Sequence, residues 1–261
     1  MPHTTWLDGS AGHENQAGEG AEPVARDLPA STDGRAGAHR NAPRCGEWVD
    51  AAECWDETRW RRNEASRSEL FEMALAAHAS MHTSPLPWVR VDRAHALDTW
   101  QRLLVLCPDA GVEVQIAALF HDINRLIDEA EERLEHRASN YQAFKDDHAQ
   151  RSAELAYEAL EMAGLPKQLT RRVAALAARH EGRPEGLEES ALADADALSF
   201  LSLLGPGYAD AFGIDQARRK VRHTLKRLGA QSRPGLVKAR LRQDVRWLVD
   251  QSIPTLSTEA V

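Results

Sequence analysis

The sequence predicts an all-α fold for this chain of 261 residues. Apolar residues recur at three- and four-residue intervals along most of it, which is typical of helices packed on one face. No stretch stands out with the strict apolar–polar alternation of a half-buried strand, and no internal repeat is found. Glycine and proline residues interrupt the helical stretches where helices are expected to end.

The composition is that of a globular protein, with 43% hydrophobic and 28% charged residues. A net charge of -8 argues against general nucleic-acid binding, which needs a basic surface. The three cysteines, Cys45, Cys54 and Cys107, lack metal-site spacing, so neither a disulfide framework nor a thiolate site is predicted. We find no signal peptide and no apolar run of the ~20 residues that span a bilayer, so we expect a cytoplasmic protein without a membrane partner.

A single domain is predicted after a polar N-terminal segment. Residues 1–45 carry almost no large apolar side chains, so they are expected to form a disordered tail. Residues 46–252 are expected to form one all-α domain, with a core at about 90–205 and basic C-terminal helices at 214–252. The predicted helices span 64–80, 92–107, 112–120, 147–164, 166–180, 188–204, 215–228 and 236–252.

The most informative stretch is the end of the third predicted helix, where an apolar run closing with Phe120 leads directly into His121 and Asp122. Two polar side chains at the end of a buried run must be satisfied there. A metal ion is the simplest partner, because imidazole and carboxylate are both common ligands. Neighbouring helical residues diverge by about 100°, so both can reach one ion only near a helix end.

Further polar residues lie on the apolar faces of other predicted helices. His95, His148 and His180 each lie on or beside such a face. Asp196 shares its face with apolar residues, and Asp194 on a neighbouring line could take the same role. Because unpaired carboxylates are seldom buried, at least one of the two should have a cation or strong donors nearby.

Other polar groups have plainer interpretations. His78 and His82 lie four residues apart and could pair on a metal, but we interpret them as partly exposed at a helix end. Gly205-Pro206-Gly207 is interpreted as a helix break. A solvated helical face is predicted for four acidic residues, Glu129, Glu131, Glu132 and Glu135.

The order of these residues resembles the HD-domain metalloprotein superfamily over residues 90–205, under half of the chain. His95 matches the first histidine and His121-Asp122 the doublet that names that superfamily. Its last element, an Ala-Asp-X-Leu sequence, reads Ala195-Asp196-Ala197-Leu198 here, which favours Asp196 over Asp194. A subset of the superfamily binds two metals through two further histidines. The His148-Ala149-Gln150-Arg151-Ser152-Ala153 stretch and His180 correspond to them.

This resemblance implies a centre of two divalent ions, of Fe, Mn, Co, Zn or Mg, in which Asp122 bridges the ions; the alternative is that one ion binds and that His148 and His180 contact the substrate. It implies hydrolysis of a phosphomonoester or phosphodiester, a nucleotide or another small phosphorylated metabolite, by a metal-activated water. Asp122 and Arg125 are the candidate catalytic residues. Further cations for the phosphate could come from a basic helix that carries Arg218, Arg219 and Arg222. These residues could equally form a solvated face of that helix.

One departure from the superfamily weakens a direct transfer of mechanism. Many members follow the doublet with Ile-Gly-Lys, whereas this chain has Ile123-Asn124-Arg125. Arginine supplies charge but does not release a proton. Two alternatives remain open: a mixed-valent diiron oxygenase acting on a small polyol or phosphonate, with the same six ligands, and a degenerate binding or scaffold protein. The substrate and the oligomeric state are not predicted.

Overall fold

The part of the chain that the structure describes consists of helices joined by short connections, without a β-strand. The computed structural model describes residues 57–258, with side chains as far as Ile253. The tail predicted over residues 1–45 lies outside this range. Residues 57–258 form ten α-helices, namely α1 (Glu69–Met81), α2 (Pro87–Leu106), α3 (Val112–Phe120), α4 (Arg125–Asp128), α5 (Tyr141–Met162), α6 (Lys167–Arg179), α7 (Leu187–Ser199), α8 (Gly205–Arg227), α9 (Arg233–Lys238) and α10 (Gln243–Thr258).

The main hydrophobic core surrounds α3, which packs against α1, α2, α6 and α7. Every residue of α3 from Val114 to Phe120 is buried, so this short helix runs through the interior rather than along the surface. Trp100 of α2 is fully buried, with its ring centroid 4.8 Å from that of Phe71. Its indole nitrogen donates a hydrogen bond to Gln115 Oε1 on α3 at 2.9 Å, which fixes the two helices in register.

A second apolar cluster joins the C-terminal helices to α7. Leu201, Val221, Val245 and Leu248 are among its most deeply buried members. Through this cluster α8 packs against α10 and also against α7. The basic C-terminal helices are therefore packed onto the central helices, and one face of α8 lies over the end of the core where α3 stops.

The predicted helices agree best with the observed ones where apolar spacing defines them. They agree least well at the residues where the helices begin. The interval predicted for α3 matches the observed one. The next long helix, α5, begins at Tyr141, although a cap at Asp146 or Asp147 was predicted. Asn140 provides the cap instead, because its side-chain oxygen accepts a hydrogen bond from Ala143 N at 3.1 Å.

The helix break predicted at Gly205-Pro206-Gly207 is wrong. A π-helical turn over Phe200–Leu204 leads directly into α8, and Pro206 lies in the first turn of that helix. Proline is tolerated there because the first N–H groups of a helix have no intrahelical partner. The break comes at Gly213, whose φ of 80° suits a residue without a side chain.

The solvated acidic face predicted after the doublet is also wrong in part. Glu131 and Glu132 are exposed, but Glu129 and Glu135 are only 1% and 3% exposed. Glu129 accepts a hydrogen bond from Arg125, and Glu135 accepts one from Lys220, both at 2.7 Å. These partners explain the burial, and α4 ends at Asp128 before the acidic stretch begins.

No helix within residues 57–258 combines the length and the apolar character needed to cross a bilayer.

Candidate metal centre

Six side chains from five parts of the fold converge at the buried end of α3. The apolar residues of α3 draw the following turn into the interior, so His121 is fully buried. The elements that contribute the other five are α2, the turn after α3, α5, the end of α6 and α7. All six residues predicted from the sequence lie here: His95, His121, Asp122, His148, His180 and Asp196.

One part of this cluster is formed by His95, His121 and Asp196. The Nε2 atoms of the two histidines lie 3.3 Å apart. Asp196 Oδ1 is 3.2 Å from His95 Nε2 and 3.6 Å from His121 Nε2. Three ligand atoms at this mutual spacing can all reach an ion placed between them at the ~2.0–2.2 Å distances of metal–nitrogen and metal–oxygen bonds.

The other part is formed by Asp122, His148 and His180. Asp122 Oδ1 lies 2.6 Å from His148 Nε2 and 3.5 Å from His180 Nε2. Asp122 also approaches the first part, with Oδ2 3.9 Å from His95 Nε2. The carboxylate of Asp122 is therefore shared by two groups of ligand atoms, each closely enough spaced to hold an ion.

Backbone carbonyls fix the tautomers of two of these histidines. His121 Nδ1 donates to Ala118 O at 2.9 Å, and His180 Nδ1 donates to Ala177 O at 2.7 Å. A carbonyl can only accept, so each Nδ1 carries a hydrogen and, in the neutral ring, Nε2 keeps its lone pair for a ligand. His95 Nδ1 makes the corresponding contact with the hydroxyl of Ser199 at 2.9 Å.

Protonation in the cluster reflects burial and the two carboxylates. Burial lowers the pKa of His121, but the nearby Asp122 and Asp196 carboxylates outweigh this and raise it to about 9. Burial and the Arg125 charge lower the pKa of His148 to about 3. Despite burial, Arg125 and the neighbouring histidines hold the pKa of Asp122 well below its usual range. The protein alone thus places a proton on His121, where a metal would take its place.

The chemistry of these donors fits a metal ion. His180 Nε2 is buried and has no hydrogen-bond partner among the described residues, which is costly unless an ion or solvent satisfies it. The donor atoms are imidazole nitrogens and carboxylate oxygens, a set suited to Fe, Mn, Co or Zn, and in its oxygen part to Mg. The buried histidine and aspartate groups could therefore hold one ion or two.

Comparison with known proteins assigns a family. Residues 51–249 match the family described as a domain of unknown function, DUF4202. The chain belongs to this family. The matched region contains all six residues of the cluster, and the family description names no activity. No curated protein and no solved structure matches the chain.

In this DUF4202 chain, a cleft lies next to the cluster, and His95, Asp122 and Asp196 are among the residues that line it. Its wall carries aromatic residues, among them Trp88 and Tyr208. Four carboxylates line the cleft, namely Asp122, Glu135, Glu181 and Asp196. Five cations also line it, namely Arg125, Arg133, Lys145, Lys220 and Arg227.

Arg125, the cation predicted from the sequence, lies in this wall. Its Nε donates to Asp122 Oδ2 at 2.8 Å, and its Nη1 donates to Glu129 at 2.7 Å. These two carboxylates, together with Glu135, raise the pKa of Arg125 despite its burial. Arg125 thus stays charged and holds one oxygen of Asp122 in a fixed orientation.

Two cations from α8 also reach the cleft, although the sequence analysis singled out other residues of that helix. Arg227 Nη2 donates to His180 O at 2.6 Å and to Asp196 Oδ2 at 3.2 Å. Lys220 lies two helical turns earlier on the same face. Arg218 instead pairs with Asp215 at 2.7 Å near the surface. The residues that reach the site follow the buried stripe of α8, which was a usable signal in the sequence.

A lysine and a glutamate that the sequence analysis did not single out complete the wall. Lys145 of α5 is 1% exposed and forms an ion pair with Glu181, the residue after His180. Glu181 Oε1 lies 3.7 Å from His180 Nε2, and Arg227 pairs with the other oxygen. Lys145 precedes His148 by three residues, so one face of α5 carries both, and this spacing was visible in the sequence.

Asp194, the alternative to Asp196, has a different environment. Its carboxylate accepts hydrogen bonds from Gly229 N at 2.7 Å and Ser232 Oγ at 2.6 Å. A side chain at Gly229 would place its first carbon 2.9 Å from this carboxylate, so a larger residue there would displace Asp194. Asp194 fixes the turn that follows α8, while Asp196 faces the histidines.

His78 and His82 are not partly exposed, as predicted, but buried at 1% and 8% exposure. Their ring centroids lie 4.1 Å apart, and His82 Nδ1 donates to His78 O at 2.9 Å. Burial lowers the pKa of His82 to about 4, so its ring is neutral at pH 7. The end of α1 packs into the core beside Phe120, which explains the burial.

Proposed function

We propose that this chain is a metal-dependent hydrolase of a phosphomonoester or phosphodiester, with a centre of the HD-domain type. A nucleotide or another small phosphorylated metabolite would be its substrate. The observation that supports this proposal is the combination of two ligand groups sharing Asp122 with a cation-rich cleft directly above them.

The six side chains would hold two divalent ions, with His95, His121 and Asp196 at one and His148 and His180 at the other. Two such ions would supply Lewis acidity and a water of lowered pKa for attack on phosphorus. The chain's own contribution is orientation. Asp122 is held by Arg125 at 2.8 Å, and Asp196 is held by Arg227 at 3.2 Å, so both carboxylates have little freedom to rotate.

The charge of the cleft favours an anionic substrate. Five cations and four carboxylates line it, so the protein groups nearly cancel before any ion is bound. Two divalent ions would leave a strong positive excess in a largely buried space, where electrostatic attraction is stronger than in water. The guanidinium groups of Arg125 and Arg227 present fixed donors that match phosphate oxygens.

The direct test is phosphate release from a panel of phosphomonoesters and phosphodiesters, measured without oxygen and with each candidate metal in turn. We expect turnover that requires metal and is abolished by Asp122→Ala. Lys167→Met, at a side chain that is 71% exposed and distant from the cleft lining, should leave turnover unchanged. Failure of the metal-loaded wild-type protein to hydrolyse any ester would refute the proposal.

A further inference from the structure

Lys145 is the cleft cation most deeply enclosed by the fold. It is among the largest fully buried side chains, and its ammonium nitrogen contacts Glu181 and lies 3.9 Å from Glu135 Oε2. A buried ammonium group is costly, and these two carboxylates offset the cost. Nevertheless Lys145 is one of the residues that line the cleft, together with Asp122.

The position of Lys145 relative to the cluster points to chemistry rather than to packing alone. One carboxylate, that of Glu181, separates its nitrogen from His180 Nε2, which lies 3.7 Å from Glu181 Oε1. Lys145 is fixed on α5 three residues before His148. Lys145 is therefore one helical turn from the ligand His148 and one ion-pair partner away from the ligand His180.

Lysine also differs chemically from most other cations of the cleft. Arginine side chains, such as those of Arg125 and Arg227, supply charge but do not release a proton. Lys220, the other lysine, is held by Glu135 at 2.7 Å and by the Tyr141 hydroxyl at 3.0 Å. Glu181 Oε1 lies 3.7 Å from His180 Nε2, and neither Glu135 nor Tyr141 makes a comparable contact with a histidine of the cluster. Of the two lysines that line the cleft, Lys145 is thus the one whose ion-pair partner, Glu181, approaches the cluster.

We propose that Lys145 is the general acid of the hydrolysis, an inference that rests on the proposed function. The attacking water forms a bond from its oxygen to phosphorus, and the bond from phosphorus to the leaving oxygen breaks with its electron pair on that oxygen. The ammonium of Lys145 gives its proton to the leaving oxygen, so an alcohol departs. The proton that the attacking water loses restores the Lys145 amine to ammonium, and all atoms and charges balance.

A series of phosphomonoesters with different leaving groups tests this role. Lys145→Arg keeps the charge but not the proton donor, so it should lower kcat about 10²–10⁴-fold on an alkyl phosphate. On p-nitrophenyl phosphate, whose leaving group departs without protonation, the loss should be under about tenfold. Lys220→Arg is the matched control, and its loss should be the same for both esters.

Three outcomes would overturn the assignment. If Lys145→Arg loses activity equally on both esters, Lys145 acts only through structure or charge. If Lys220→Arg shows the leaving-group dependence instead, the acid is Lys220. Wild-type protein that hydrolyses neither these two esters nor any other ester of the panel would refute the proposed function itself, and the role of Lys145 with it.

A crystal structure of the wild-type protein with metal and orthovanadate gives a readout that needs neither activity nor a folded variant. Orthovanadate imitates phosphorus at the transition state, with one apical oxygen in the place of the leaving group. We expect Lys145 Nζ within hydrogen-bond reach of that oxygen, about 2.6–3.2 Å. An Nζ that remains on Glu181 and away from the vanadate would contradict the proposal.

Discussion

Asp122 Oδ1 lies 2.6 Å from His148 Nε2, while the other oxygen of the same carboxylate accepts a hydrogen bond from Arg125 at 2.8 Å. The His148–Asp122 contact joins α5 to the turn after α3, two elements that are distant in the sequence. Because Asp122 belongs to both groups of ligand atoms, its removal should affect the whole centre and not one half of it.

Ligand substitutions should therefore have unequal effects on metal content. We expect Asp122→Ala to lose both ions, because no other side chain is shared by the two groups. His148→Ala should keep the ion at His95, His121 and Asp196. Metal analysis after dialysis measures this difference, and Asp147→Ala, an exposed neighbour of His148, is the matched control. Equal metal content in Asp122→Ala and wild type would contradict the bridging role.

Metal affinity should rise with pH between about 7 and 9. The pKa of His121 in the metal-free protein is raised to about 9, so an ion must displace its proton over this range. One displaced proton corresponds to an increase of about tenfold in affinity per pH unit. Competition with a chelator of known pH dependence gives the slope. An affinity that does not change over this interval would show that His121 is already neutral.

The raised pKa of His121 also predicts how the stability of the metal-free protein depends on pH. A proton bound more tightly in the folded state stabilises it fully below the unfolded value of 6.5, and this contribution is lost as pH rises through about 9. Thermal unfolding of the metal-free protein should shift to lower temperature over that window. The metal-loaded protein should not show this loss, since its His121 carries no proton.

Ser199 should support metal binding through His95. Its hydroxyl lies 2.9 Å from His95 Nδ1 and orients the ring, so Ser199→Ala should weaken metal binding by about 10–100-fold. Ser202→Ala is the matched control one helical turn later, because Ser202 Oγ bonds to Leu198 O at 2.9 Å and to Arg102 rather than to a histidine. A similar loss in both variants would mean that Ser199 acts through the stability of the helix.

Arg125 should be important for stability even without metal. It pairs with Asp122 at 2.8 Å and with Glu129 at 2.7 Å, so Arg125→Met leaves two buried carboxylates without their main cation. We expect a loss of about 3–5 kcal/mol in the free energy of unfolding, measured with urea on metal-free protein. Arg137→Met breaks an exposed pair with Glu132 and should cost under about 1 kcal/mol. Comparable losses would contradict this role.

The features that the sequence predicted well are those with a local signature. The apolar run of α3 predicts a buried helix, and a polar doublet at its end requires a partner, whatever the rest of the fold is. Histidines and aspartates on otherwise apolar helix faces, such as His95 and Asp196, stand out for the same reason. The structure brings these residues together, as the sequence analysis expected.

The features that the sequence did not predict depend on interaction partners that are remote in the sequence. Glu129 and Glu135 look like Glu131 and Glu132 in an acidic run, yet the first two are buried because Arg125 and Lys220 meet them. The pairing of Lys145 with Glu181 likewise joins α5 to the turn that follows α6. Within the acidic run, nothing local distinguishes a buried glutamate from a solvated one, since its burial depends on the position of the opposite charge in the folded chain.

The central claim is that Asp122 bridges two metal ions in a hydrolytic centre. Its most direct measurement is the metal content of wild-type protein purified without chelators, combined with turnover of a phosphoester panel before and after oxygen is admitted. We predict two ions per chain and phosphate release that does not depend on oxygen. Protein that binds fewer than two ions per chain, or that contains two irons and turns over only after oxygen is admitted, would contradict the proposal.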